Sequence, residues 1–111
     1  MRCIDADGKL RDIQVREGEV MLCRAGTPHC PIRPPDTWGL VIERKRRPDE
    51  LDQLAWFCER CGGKLYEATF SCANIEVELR AVIQRFNASA ALRTCQECGA
   101  ELPVPAGASS G

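Results

Sequence analysis

The chain has 111 residues, enough for one small domain or for a partial domain joined to a minidomain. Its 15 basic and 16 acidic residues nearly cancel, which removes the electrostatic case for a nucleic-acid or membrane-surface partner. No run approaches the ~20 apolar residues of a membrane span, and the N-terminal MRCIDADGKLRD lacks an apolar signal core, so a cytoplasmic location is expected.

Arg2-Cys3-Ile4 leads into Asp7-Gly8, a two-residue hairpin signal, because both central positions of a type I′ turn need positive φ. Leu10 to Val15 returns, and Glu17-Gly18 turns the chain again. Val20 to Cys23 is an apolar run, Ala25-Gly26-Thr27-Pro28 has turn chemistry, and Trp38 to Ile42 is a second apolar run. Residues 1–46 therefore read as four strands in antiparallel succession. Such a piece does not close into a barrel, and closure is how barrels remove their edges. The exposed edges favour pairing, a homodimer being one form of it. The single histidine, His29, follows the turn, with Arg33 four residues later and Glu43 closing the second run. Taken alone, these are ordinary loop and strand-end polar groups.

Arg44-Lys45-Arg46-Arg47 is a basic run beside an acidic PDELD segment and reads as a solvated strand end. Residues 48–53 read as a linker, and a second unit begins near Leu54.

Eight cysteines in a chain without an export signal point to metal ligation and free thiols rather than to a disulfide scaffold. Cys58-x-x-Cys61-Gly62 and Cys95-x-x-Cys98-Gly99 decide how half of them are used. A two-residue spacer lets both thiolates reach one ion, and the glycine lets the backbone turn so that its N–H groups face the sulfurs. Four thiolates make a tetrahedral site that suits zinc or iron. Two disulfides, or four free thiols, are the competing reading. Between the knuckles, Lys64 to Phe70 reads as a strand. Asn74 offers an N-cap, with Glu76 and Glu78 in the first turn of a helix whose apolar stripe is Ile75, Leu79, Val82, Ile83 and Phe86. Cys3, Cys23 and Cys72 read as small apolar residues. Asn87-Ala88-Ser89 is a chance sequon, and residues 103–111 (PVPAGASSG) have the composition of a disordered tail.

Gly18-x5-Arg24-x-Gly26-x-x-His29-x-x-x-Arg33 resembles the second conserved motif of cupin barrels, with Arg24 where proline is usual and Arg33 where asparagine is usual. With Arg33-Pro34 and then Leu40-Val41-Ile42-Glu43-Arg44, the stretch resembles the 3-hydroxyanthranilate 3,4-dioxygenases. Bacterial members carry a rubredoxin-like CxxC…CxxC segment after the cupin, in the same order as here.

The resemblance implies a mainly β fold with one helix: the C-terminal half of a cupin β-barrel over residues 1–47, then a small rubredoxin-like four-cysteine metal ribbon over residues 54–102. It implies that His29 ligates a catalytic Fe(II), and that Arg33 pairs with the substrate carboxylate. Glu43 contacts the substrate ring substituents and helps with its proton. Cys58, Cys61, Cys95 and Cys98 hold a second ion, iron or zinc. The implied reaction is O2-dependent extradiol ring opening of 3-hydroxyanthranilate, towards quinolinate and NAD in the kynurenine pathway. The family's other iron-binding histidine and glutamate lie in a motif with no counterpart here; Glu17 and Glu19 do not match it. The chain is thus expected to be truncated and to form an incomplete iron site alone. A non-catalytic metal-ribbon binding module on a degenerate cupin scaffold is the alternative, and a four-cysteine electron carrier is a third reading.

Overall fold

The structure, a computed structural model, describes residues 1–106. The chain divides into two compact units, Met1–Glu43 and Arg44 onward. No helix among the described residues is long and apolar enough to cross a membrane.

Three short strands build the first unit: β1 (Arg2–Ile4), β2 (Leu10–Asp12) and β3 (His29–Cys30), antiparallel in the order β2-β1-β3. The β1–β2 hairpin stands where Asp7-Gly8 predicts it, but its turn differs from type I′. Only Gly8 takes positive φ, at 75°, and Asp7 does not. Asp5 supplies the reason. Its carbonyl accepts from Gly8 N–H at 3.0 Å, and its carboxylate accepts from the N–H groups of Asp7 and Lys9 at 3.0 and 2.8 Å. A side-chain-closed loop replaces the tight two-residue turn. Across the pair, Arg2 faces Asp12 in register and donates to both its oxygens, at 2.9 and 3.0 Å.

The second half of this unit departs from expectation. Val20 to Cys23 and Trp38 to Ile42 are not strands, and the third strand is instead the two-residue β3, paired to β1 through Cys3↔His29 and Arg2↔Cys30. Trp38 is 100% exposed and Val20 96% exposed. A strand needs a neighbour for its ladder hydrogen bonds and a surface for its apolar face; these runs have composition without either. The turn between them is present: Thr27 N–H donates to the Arg24 carbonyl at 3.2 Å, with Gly26 at φ 78°.

In the second unit, β4 (Asp52–Phe57) and β5 (Lys64–Phe70) form an antiparallel hairpin with an irregularity at Trp56/Phe57. β4 opens at Asp52, inside the stretch read as linker. The basic run ahead of it is largely exposed, as expected, and also ion-paired: Arg44 and Arg47 meet Glu50, and the half-buried Arg46 meets Asp52. Helix α1 (Ile75–Ala88) follows, capped as expected by Asn74. The Asn74 Oδ1 accepts from the N–H groups of Glu76 and Val77, while the Glu78 carboxylate accepts from Asn74 N–H at 3.0 Å.

The apolar stripe of α1 is narrower than its periodicity predicts. Phe86 is buried and Leu79 and Val82 are half-buried, whereas Ile75 and Ile83 face outward. A two-stranded sheet is too small to cover the full stripe. What it does cover is held by aromatic stacking. Phe86 stacks on Trp56 at 4.2 Å between centroids, and Tyr66 flanks both rings at 5.8 and 6.1 Å.

A second helix, α2 (Ala90–Arg93), is absent from the one-helix expectation. Ser89 ends α1 and caps α2, its hydroxyl accepting from Leu92 N–H, so the sequon serine has a structural use. Arg93 then ties the chain end down, donating to the carbonyls of Asn87 and Leu102 and to Glu101. Pro103 to Ala106 are exposed and irregular, and the rest of the tail, 107–111, lies outside the described residues. The sheets are small and two helices accompany them, and the buried apolar residues among those described are Cys3, Cys58, Phe86 and Cys95.

Candidate metal centre and the histidine segment

Both knuckles are loops closing antiparallel pairs. Cys58 to Gly63 joins β4 to β5, and Cys95 to Ala100 sits inside the Thr94↔Glu101 bridge. Their backbones repeat one another. Cys58 N–H donates to Gly63 O at 2.7 Å and Cys95 N–H to Ala100 O at 2.8 Å. Gly62 N–H donates to Cys58 O, and Gly99 N–H to Cys95 O, both at 2.9 Å. Gly62 and Gly99 take φ of 79° and 73°, the left-handed turn that glycine adopts without strain.

The four Sγ atoms lie within 4.8 Å of one another. The closest approaches cross between knuckles: Cys58 to Cys98 and Cys61 to Cys95, both at 3.5 Å. A disulfide would need about 2.05 Å, so none joins the knuckles in this structure, and all eight cysteines are free of disulfide bonds. A tetrahedral ion with ~2.3 Å metal–sulfur bonds spaces its sulfurs by roughly 3.8 Å. The observed cage brackets that spacing, and its all-sulfur donor set suits zinc or iron; the four residues fit a metal ion.

The electrostatics agree with ligation by thiolate. Backbone N–H groups of Cys61 and Arg60 point at the Cys58 sulfur and hold its thiol down at about 6. At Cys61 the Gly63 N–H also favours the thiolate. Hydrogen bonding with Cys95, burial, and the neighbours Cys98 and Cys58 outweigh it and push Cys61 up to about 12. Crowded thiols resist a second negative charge until a cation joins them. A further residue reaches this cage that sequence spacing does not reveal. The Cys61 thiol faces Glu97 Oε2 at 3.7 Å, and a Cβ at Gly63 would lie 2.7 Å from that oxygen.

His29 sits on β3 as an exposed side chain, not in a free turn. Its Nδ1 lies 2.8 Å from the Thr27 carbonyl; a carbonyl only accepts, so Nδ1 is the donor there and Nε2 is the nitrogen not used in this contact. Such a carbonyl-anchored imidazole is the usual form of a metal-ligating histidine. Arg33 folds its guanidinium over Gly39, where an added Cβ would lie 3.2 Å from Cζ. Glu43 is exposed at the end of the first unit. Among the described residues, the four cysteines are the group of three or more metal-type side chains that converges, and neither His29 nor Glu43 belongs to it. By themselves, the described residues of the first unit do not fit a complete iron site.

The family model described as 3-hydroxyanthranilic acid dioxygenase matches residues 1–87. The chain belongs to that family. Curated relatives carry the name 3-hydroxyanthranilate 3,4-dioxygenase. One from Xanthomonas euvesicatoria pv. vesicatoria is 48% identical over 102 residues, which is 92% of this chain and 58% of the relative. The Neurospora crassa protein is 42% identical over 93 residues, covering 84% of this chain and 52% of its own. The Bacillus thuringiensis protein is 36% identical over 107 residues, covering 96% and 60%. The chain thus spans between half and three-fifths of the length of these 3-hydroxyanthranilate dioxygenase relatives. The family match takes in His29, Arg33, Glu43 and the first cysteine knuckle.

Proposed function

We propose that the chain is the C-terminal part of a 3-hydroxyanthranilate 3,4-dioxygenase, which opens the aromatic ring of 3-hydroxyanthranilate with O2 on the way to quinolinate. On this reading residues 1–47 are part of a cupin barrel and residues 54–102 a rubredoxin-like unit. The observation that carries it is the imidazole of His29 inside the family-matched segment, its Nδ1 engaged by the Thr27 carbonyl. His29 supplies one iron ligand; iron(II), when bound, supplies the site at which substrate and O2 meet. The remaining ligands come from residues with no counterpart in these 111. Arg33 holds the substrate carboxylate through its planar pair of N–H donors, and Glu43 takes a proton from the ring substituents. The four cysteines hold a zinc or iron ion that ties the C-terminal unit together.

The test is reconstitution. The chain is loaded anaerobically with iron(II), substrate and O2 are added, and the absorbance of the ring-opened semialdehyde is followed. The same assay is run with the family's upstream segment supplied in trans or fused. Turnover only with that segment supports the proposal, and no turnover in either arm despite bound iron sinks it in favour of a non-catalytic metal-binding module.

A further inference from the structure

The two knuckles repeat each other in backbone but not in what surrounds their sulfurs. Cys58-Glu59-Arg60-Cys61-Gly62-Gly63 aligns with Cys95-Gln96-Glu97-Cys98-Gly99-Ala100. The first glycine of each knuckle is required by its positive φ. Gly63 is not, since it avoids the left-handed region and its counterpart is Ala100. Its neighbour is a side chain from the opposite knuckle. A Cβ on Gly63 would lie 2.7 Å from Glu97 Oε2, 3.1 Å from Glu97 Cδ and 3.4 Å from Cys61 Sγ. The exposed Glu97 carboxylate lies over Gly63 and reaches across from the opposite knuckle to accept from the Cys61 thiol at 3.7 Å.

Cys61 is also the ligand set apart by exposure: Cys58 and Cys95 are buried, Cys98 is half-buried, and Cys61 is exposed. A carboxylate beside a filled four-thiolate site meets a formal charge of −2, from four thiolates on a divalent ion. Coulomb repulsion disfavours it there unless it has a use as a donor. Arg60 occupies the equivalent position on the other knuckle, so the acid serves one sulfur only.

We propose that Glu97 is an exchangeable fifth donor, whose carboxylate takes the place of the Cys61 thiolate on the metal when that thiol is lost. The site then passes from four cysteines to three cysteines and one glutamate, with its formal charge unchanged. Carboxylate oxygen binds zinc at about 2.0–2.2 Å, and zinc is the ion used as the probe. The inference rests on the reading that the four cysteines hold a metal.

Zinc per chain measured on the wild-type chain tests that underlying reading; a metal-free, zinc-refusing wild type overturns both. Given a zinc-loaded wild type, Cys61→Ala is expected to keep close to one zinc per chain, Cys61→Ala/Glu97→Gln to lose it, and Glu97→Gln alone to keep it. Equal zinc in Cys61→Ala and the double variant, whether full or nil, overturns the proposal while leaving the metal centre standing. A second measurement avoids any folding defect caused by replacing Cys61. Zinc-loaded wild type and Glu97→Gln are treated with iodoacetamide, whose iodide is displaced by the Cys61 thiolate to leave an uncharged thioether. At equal Cys61 modification, located by mass spectrometry, zinc release to a chromophoric indicator is expected from Glu97→Gln and not from wild type. Equal release from both overturns the proposal.

Discussion

The indole of Trp56 lies flat against the ring of Phe86, centroids 4.2 Å apart and planes within 14°. Trp56 stands two residues before the first metal-knuckle cysteine, and Phe86 is the most buried residue of α1, only 2% exposed. The stack therefore fixes the helix to the strand that presents Cys58. Phe86→Ala is expected to destabilise the second unit by about 3–5 kcal/mol, the usual cost of emptying an aromatic core position. Denaturant unfolding with metal present checks this. Because the same strand aims the knuckle, weaker zinc retention should accompany the lost stability.

Metal removal should act on the same unit from the other side. Four thiolates brought together from two loops have no reason to stay together without a cation. At free metal about 1,000 times the dissociation constant, binding contributes about 4 kcal/mol to the folded state. Chelation is therefore expected to lower the unfolding midpoint of residues 44–106 and to raise amide exchange through β4, β5 and α1. Unchanged exchange protection in metal-free protein would sink the structural-metal reading.

Arg33 and Gly39 form a pair that can be tested in a complete, iron-loaded dioxygenase carrying this segment. On the proposed reading, Arg33→Ala removes a charge-assisted contact to the substrate carboxylate, on the order of 1.5–3 kcal/mol, or roughly ten- to hundredfold in affinity. Gly39→Ala leaves the guanidinium in place chemically but puts a Cβ 3.2 Å from Cζ, so the arm must move. Both variants are expected to raise KM with iron content unchanged. Iron loss from Arg33→Ala would show that the residue supports the histidine segment instead.

What could be read from sequence was what neighbours in the chain decide. The knuckle glycines, the Asn74 cap and the Thr27-Pro28 turn depend on residues within a few positions, and each forms. Val20 to Cys23 and Trp38 to Ile42 have strand composition, but pairing needs a partner that propensity does not supply, and the runs stay open. The Asp7-Gly8 hairpin forms with another turn because Asp5 competes for its N–H groups. Ile75 and Ile83 follow the helical period, yet the small hairpin beneath α1 leaves them outside. Glu97 has no signature in the sequence because its contact with Cys61 spans 36 positions. The only local trace was Gly63, a second glycine that the turn does not need.

Acid should loosen the segment that leads into β4. Arg44 donates to both Glu50 oxygens, at 2.9 and 2.5 Å, and Arg47 N–H donates to Glu50 at 2.6 Å. The Arg44 hydrogen bonds, followed by the Arg47 N–H, bring the Glu50 carboxyl from its ordinary 4.5 to about 2. A carboxyl depressed in the folded chain stabilises it above the unfolded value, and that contribution disappears as pH falls from about 4.5 through about 2. Asp5 and Asp12 are also lowered, by Arg11 and Arg2 respectively, so the whole chain will lose stability in acid. The Glu50 share is isolated by difference. Glu50→Gln should lower the unfolding midpoint at pH 6 and converge on wild type near pH 2, and added salt should narrow the gap because these groups face solvent. A gap between the two proteins that stays constant from pH 6 to pH 2 would mean that Glu50 acts through packing rather than through its charge.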